Sequence, residues 1–267
     1  MIILALIILG LIVGSFLNVV IYRLPIMILD EEKDNHKDKV RINLCLPRSR
    51  CPDCRTALRW HELIPIISFL WQRCRCRHCG GVISWQYPAV ELSYAVLLVL
   101  SYVCFGWSAT ALAVGVLNAI LLVMWVIDFQ RQLLFDALTL AGLWLGLLFS
   151  ALGGFVTAEE SILAAVLGYV LLRFVADAYR WCRKQEGMGS GDMKLMAMLG
   201  AWFGFHALFI LMGGVLMALL VSLSLLLTKR IEWRQRIAFG PFLIAAAWLW
   251  LFYFRVADVS WMPFLLT

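Results

Sequence analysis

The segment SILAAVLGYVLLRFVADAYRWCRKQEGMGSGDMKLMAMLGAWFGFHALFILMGGVLMALLVSLSLLL, residues 161–227, decides the fold. Two long apolar runs flank nine residues, EGMGSGDMK (186–194), which hold three glycines, a serine, two carboxylates and a lysine. Apolar runs of roughly 17–25 residues read as membrane-spanning helices. Asp192 therefore stands between glycine-rich backbone and the mouth of a span.

The rest of the chain repeats that pattern. It is 63% hydrophobic and 15% charged, with a mean hydropathy of +0.87. A soluble domain carrying that much apolar surface would expose large patches. Further apolar runs cover about residues 2–22, 89–105, 109–127, 134–152, 161–179, 193–206, 207–228 and 238–255. The expectation is an all-α polytopic membrane protein with about eight transmembrane helices, the sixth being short for a crossing. Its division is a first span at 1–22, a Cys-rich segment at 23–88 and a membrane domain at 89–267.

Charge sets the orientation. The net charge is +6, but the basic residues sit in loops, where they act as topology determinants and not as a nucleic-acid surface. The N-terminal run has no basic region ahead of it, and its first positive charge, Arg23, follows it. It reads as a span and not as a cleaved signal. With the N-terminus outside, the loops holding Arg131, Arg180, Arg183, Lys184, Lys229, Arg230, Arg234 and Arg236 all fall inside, as the positive-inside rule requires. The segment from Arg23 to Tyr87, with twelve Lys/Arg and seven Asp/Glu, is also cytoplasmic. Its mixed-charge run DEEKDNHKDKVR (30–41) reads as solvated loop.

Six of the eight cysteines lie in that cytoplasmic segment, where a reducing environment favours metal over disulfides. CPDC offers Cys51 and Cys54, and CRHC offers Cys76 and Cys79. Two such pairs, about 20 residues apart, form a zinc-ribbon-like Cys₄ pattern. A loop domain with little apolar core needs such a staple, so the expected Zn²⁺ is structural. Cys74 could compete for ligation through Cys76. Cys45 reads as a spare thiol and His78 as a bystander.

The same topology places Asp128, in MWVIDFQR, and Asp192 at one membrane depth on the inner side. Acidic residues at a span boundary are costly and mark functional sites. Two carboxylates at matched depth suit aspartyl hydrolysis: one activates water while the other, protonated, polarises the scissile carbonyl. Gly187, Gly189 and Gly191, in one loop with Lys194, let backbone approach an extended peptide and tolerate positive φ. Structural pairs of Asp192 with Lys194 or Asp128 with Arg131, or a proton relay in a transporter, are the competing readings.

GMGSGDMKLMAMLGAWFG (187–204) resembles the Gly-x-Gly-Asp motif of the type IV prepilin leader peptidases, bacterial membrane aspartyl proteases. GSFLNVVIYRLP (14–25), the CPDC and CRHC pairs, WQYPAVELSYA (85–95) and FGPFLIAAA (239–247) are similar to further family stretches, in the family's order. The resemblance implies that Asp128 and Asp192 are the catalytic pair. It also implies substrates that are type IV prepilins or type II secretion pseudopilins, cut after a glycine at the inner face of the bacterial inner membrane. It implies N-methylation of the new terminus with S-adenosylmethionine, for which Glu91 is a candidate acid. The chain departs from the family at Gln130 and at Phe135-Asp136, where the family has a second acid and a Pro-Asp. Asp136 is thereby left as a substrate or structural contact. A proton-coupled transporter using Asp128 and Asp192, and a non-catalytic zinc-ribbon scaffold, remain as readings from other classes.

Overall fold

The computed structural model describes residues 1–31, 43–46, 48–185, 188–228 and 238–256. The mixed-charge run at 32–41, the basic residues at 229–236, and Glu186 with Gly187 lie outside the described residues. Every expected apolar run is helical: α1 (Ile2–Glu31), α3 (Gln86–Phe105), α4 (Ala109–Arg131), α5 (Asp136–Ala151), α6 (Ala158–Arg183), α7 (Ser190–Phe203), α8 (Ala207–Leu227) and α9 (Gly240–Val256). A short α2 (Ile67–Trp71) lies in the Cys-rich segment. Two isolated β-bridges are the only β pairing among the described residues.

Five helical stretches are long and apolar enough to cross a membrane: Ile2–Leu29, Gln86–Phe105, Ala109–Arg131, Ala158–Arg183 and Ser190–Leu227. Asp136–Ala151 and Gly240–Tyr253 are shorter apolar helices. Helix α1 runs well past the expected end at residue 22 and carries Pro25 inside it. Arg23 marks a hydropathy boundary and not a helix end, because the apolar residues after it keep the helix going.

The chain forms two compact units, Met1–Val123 and Met124–Thr267, with the boundary inside α4. In the first unit, α1 packs on α3 through two glycines four residues apart. A Cβ at Gly10 would stand 2.5 Å from Ala95 Cα, and one at Gly14 would stand 2.7 Å from Glu91 Cα. Without a hydrophobic drive between helices in lipid, such close backbone approach is what joins them. Polar pairs link α3 to α4: Tyr94 donates to Gly115 O at 3.2 Å and Asn118 Nδ2 to Ser101 Oγ at 3.0 Å.

In the second unit, α7 is the core. Leu195, Met196, Met198, Leu199, Ala201, Trp202 and Phe203 are all buried, so α7 is apolar on every side and enclosed by protein. Helices α5 and α6 flank it. Gly142 and Gly146 of α5 leave room for Met198 and Trp202, and Gly168 of α6 leaves room for Met196. A Cβ on Gly200 would lie 2.6 Å from Ala164 O. Trp202 Nε1 donates to Gly142 O at 2.8 Å, and the hydroxyls of Ser150 and Ser161 both donate to Ala201 O. By contrast, α8 presents Phe209, Met212, Leu216 and Leu220 outward, as a lipid-facing helix does.

The break between α7 and α8 falls at Gly204, whose φ of 58° suits glycine. Phe205 N–H, released by the break, donates to Glu160 Oε1 at 3.2 Å. Irregular backbone at membrane depth is tolerated where protein supplies such partners. Gly200→Val should destabilise the protein by about 1–3 kcal/mol through overpacking against α6, seen as a lower thermal midpoint in detergent. Gly213→Ala should leave the midpoint unchanged, because its Cβ would meet only Ala246 Cβ, at 3.5 Å.

Candidate active site and metal centre

Asp128 lies in the last turn of α4 and Asp192 in the first turn of α7. Helical geometry thus delivers two acids, distant in sequence, from the end of one helix and the start of another. Asp128 is buried, at 5% exposure, and Asp192 is half-buried. Gly240, first residue of α9, stands against the Asp128 carboxylate: a Cβ there would overlap Oδ2 and lie 3.2 Å from Cγ. Leu134 links the two acidic helix ends, its Cδ1 3.3 Å from that Gly240 position and its Cβ 2.6 Å from a Cβ placed on Gly191, next to Asp192. Asp128 Oδ2 has no hydrogen-bond partner.

The glycines before Asp192 act differently from the expectation. Helix α7 already begins at Ser190, so Gly191, Asp192 and Lys194 are helical and only Gly189 precedes the first turn. Neither Gly189 nor Gly191 has positive φ. Gly191 is instead a point of close approach, since a Cβ there would stand 2.6 Å from Leu134 Cβ. Gly187 lies outside the described residues.

Lys194 pairs with Asp136 and not with Asp192. Its Nζ donates to both Asp136 oxygens at 2.6 Å. The pair ties the start of α5 to the start of α7. It is partly exposed, with side chains 27% and 58% accessible, so it contributes about 0–1 kcal/mol and serves alignment more than stability. Arg173 pairs with Asp177 one turn on, at 2.8 Å.

In the first unit the sulfurs of Cys51, Cys54, Cys76 and Cys79 lie within 4.8 Å of one another. Each CxxC forms the same knuckle. Cys51 N–H donates to Thr56 O and Arg55 N–H to Cys51 O; equivalently, Cys76 N–H donates to Gly81 O and Gly80 N–H to Cys76 O. The residue after each second cysteine is left-handed, Arg55 at φ 58° and Gly80 at φ 73°. Antiparallel bridges close both turns, Arg50 to Ala57 and Arg75 to Val82.

Cys74 is not in the cluster. Its carbonyl accepts from Ile83 N–H, as Ser49 O accepts from Leu58 N–H in the other knuckle. His78 also stands outside the cluster, with Nε2 3.8 Å from Glu62 Oε1.

The donor set fits a soft cation. Hydrogen bonding by the Thr56 side chain and backbone lowers Cys54 to about 6. The Gly81 N–H favours the Cys79 thiolate, but desolvation and the neighbouring sulfurs outweigh it and push Cys79 up to about 12. Four sulfurs this close can all ionise only beside a positive charge.

Glu91 is buried between α1 and the loop before α2. It accepts from Ile66 N–H at 2.9 Å. Ile66 has φ 57°, a strained conformation for a β-branched residue. Because α3 begins at Gln86, Glu91 lies beyond its first turn, and the strained turn that it holds carries no sequence signal.

Replacing Cys51 and Cys54 by serine should remove bound metal and lower the thermal midpoint. Cys74→Ser should retain full metal content. Elemental analysis of the purified proteins checks both, and metal loss in Cys74→Ser would contradict the knuckle geometry.

The chain matches the Bacterial Peptidase A24 N-terminal domain over residues 8–105 and the Type IV leader peptidase family over residues 115–227. It is 40% identical over 253 residues to a prepilin leader peptidase/N-methyltransferase of Aeromonas hydrophila, covering 90% of this chain and 87% of that one. A protein of the same name from Neisseria gonorrhoeae is 39% identical over 264 residues, covering 95% and 90%. One from Stutzerimonas stutzeri is 41% identical over 270 residues, covering 96% and 92%. No solved structure matches. Identity of this extent, over nearly the full length of both chains, establishes that the chain belongs to the type IV leader peptidase family.

Proposed function

We propose that this protein is a membrane aspartic endopeptidase that removes the short basic leader from type IV prepilins or type II secretion pseudopilins, cutting after a glycine, and N-methylates the new terminus. The observation that carries the reading is the convergence on Leu134 of the helix start that bears Asp192 and of Gly240 against Asp128, in a chain whose relatives are named for both activities. The transporter and scaffold readings receive no support from those relatives.

In the mechanism, Asp128 and Asp192 share one proton, because neighbouring carboxylates do not both ionise. The ionised acid takes a proton from water as that water attacks the glycyl carbonyl. The protonated acid donates to the carbonyl oxygen; the acid that took the water's proton then delivers it to the amide nitrogen while the other recovers a proton from the adduct, and C–N cleavage releases the leader carboxyl and the new amine. Gly189, with open space where a Cβ would stand, leaves room for the extended substrate, whereas Gly191 admits Leu134. Lys194 holds Asp136 and so fixes the helix start that carries Asp192.

Eight crossings, the N-terminus in the periplasm, and the thiol cluster and carboxylates on the cytoplasmic side follow from the loop charges. That orientation holds a basic leader in the cytoplasm of a bacterial cell and its apolar helix in the inner membrane. The functional division is the first span at 1–22, a metal-binding segment at 23–88 and the peptidase at 89–267.

Cys51, Cys54, Cys76 and Cys79 would hold Zn²⁺, which supplies cross-linking and no chemistry. Methyl transfer would use S-adenosylmethionine as donor. Glu91, a candidate acid for it, accepts from Ile66 N–H, next to an open groove lined by Ser15, Ile64 and Pro65 in the same unit.

Incubation of the purified protein with a pilin-like peptide and S-adenosylmethionine, followed by mass spectrometry, should show loss of the leader and a gain of one methyl group. Asp128→Asn and Asp192→Asn should each reduce cleavage by about 10²-fold or more, with membrane insertion and thermal midpoint retained. Full activity in either variant would remove that acid from the site.

A further inference from the structure

The start of α9 has no part in the mechanism above, yet it touches the more deeply buried acid. We propose that Gly240 is a positioning residue for Asp128. Its missing side chain is the space in which the buried carboxylate oxygen lies, and so fixes where that carboxylate points. The inference rests on the assignment of Asp128 to the peptidase site.

Two observations carry it. Asp128 Oδ2 is buried without a hydrogen-bond partner, and an orphaned buried acceptor in a native fold calls for an explanation. A Cβ placed on Gly240 would overlap Asp128 Oδ2 and stand 3.2 Å from Asp128 Cγ. Gly240 has no positive φ, so its requirement is for room and not for backbone freedom.

Leu134 makes the arrangement a single device. Its Cδ1 lies 3.3 Å from the Gly240 Cβ position, and its Cβ lies 2.6 Å from that of Gly191. One leucine in the α4–α5 connection thus spaces the helix start that carries Asp192 from the helix start that holds Asp128. Enlarging Gly240 can relieve the overlap only by turning the Asp128 carboxylate away or by moving α9. A displacement of about 1 Å at a reacting group costs on the order of 10²-fold in rate.

The test uses the full-length protein in detergent with a peptide spanning a basic leader, a glycine and an apolar segment. Gly240→Ala should lower kcat by about 10²-fold with KM within about twofold. Gly214→Ala, on the neighbouring face of α8 against Leu243, should leave kcat unchanged. A packing role alone would lower the thermal midpoint with kcat preserved, and that result overturns the proposal.

A double-mutant cycle in thermal midpoint separates this proposal from the reading beneath it. Gly240→Ala should lower the midpoint in the wild-type background and much less in an Asp128→Ala background, where the overlapping oxygen is gone. Additive effects overturn the proposal even where Asp128→Asn has abolished cleavage. Coupled effects together with an active Asp128→Asn uphold the contact and overturn its catalytic meaning. Should Gly240→Ala fail to accumulate, recovery of the double variant supports the overlap, and its failure to accumulate overturns it.

Discussion

A helix of 14 residues, α7, is enclosed by its neighbours almost throughout, and the site depends on that enclosure. Lipid offers no hydrophobic drive to hold helices together, so close van der Waals packing must do it. Gly142, Gly146, Gly168 and Gly200 supply it by removing side chains where α5, α6 and α7 meet. Buried this way, α7 needs no lipid-facing stripe: it ends at Gly204, where Glu160 receives the freed Phe205 N–H, and its first turn carries Asp192. A longer, lipid-facing helix would be free to tilt and slide; one wedged between two others holds Asp192 at a fixed level.

Around that fixed point the second unit assembles its site from helix ends. The end of α4 supplies Asp128, the start of α7 supplies Asp192, the start of α5 supplies Asp136 to Lys194, and the start of α9 supplies the gap at Gly240. Helix ends are where the chain can approach without a full turn of side chains in the way. The proposed reaction needs water, acids and an apolar substrate helix together, and the ends of membrane helices are where a carboxylate can meet water.

The sequence made much of this readable for definite reasons. Apolar runs against a polar background located α1 and α3–α9, because burial in lipid demands length and composition that no soluble helix shares. The two CxxC pairs were readable because chelation by one tetrahedral ion fixes the spacing of its ligands. Asp128 and Asp192 could be paired through charge-derived topology, which gives depth but not contact. What stayed hidden needs a third dimension. Lys194 chose Asp136, 58 residues away, where two residues away stood Asp192. Glu160 meets the Phe205 N–H 45 residues away, a pairing that no local pattern signals. Gly191 and Gly240 carry no hydropathy signal, and their value is the absence of atoms where Leu134 and Asp128 stand.

The first unit solves the opposite problem, that of holding a polar segment with little core. Arg55, Ile66, Arg73 and Cys74 all have positive φ there. A left-handed residue with a side chain costs roughly 1–2 kcal/mol, so these four cost several kcal/mol together. Helices cannot repay that, since α2 is only five residues long. The proposed Zn²⁺ would contribute on the order of 10–16 kcal/mol to folding, enough to offset the strain of the cysteine turns. The two knuckles share backbone geometry although one has glycine at its left-handed position and the other arginine. Local sequence preference therefore does not dictate the fold of the Arg55 turn. What the knuckles have in common is the convergence of four sulfurs, and that convergence is the cause of their shape.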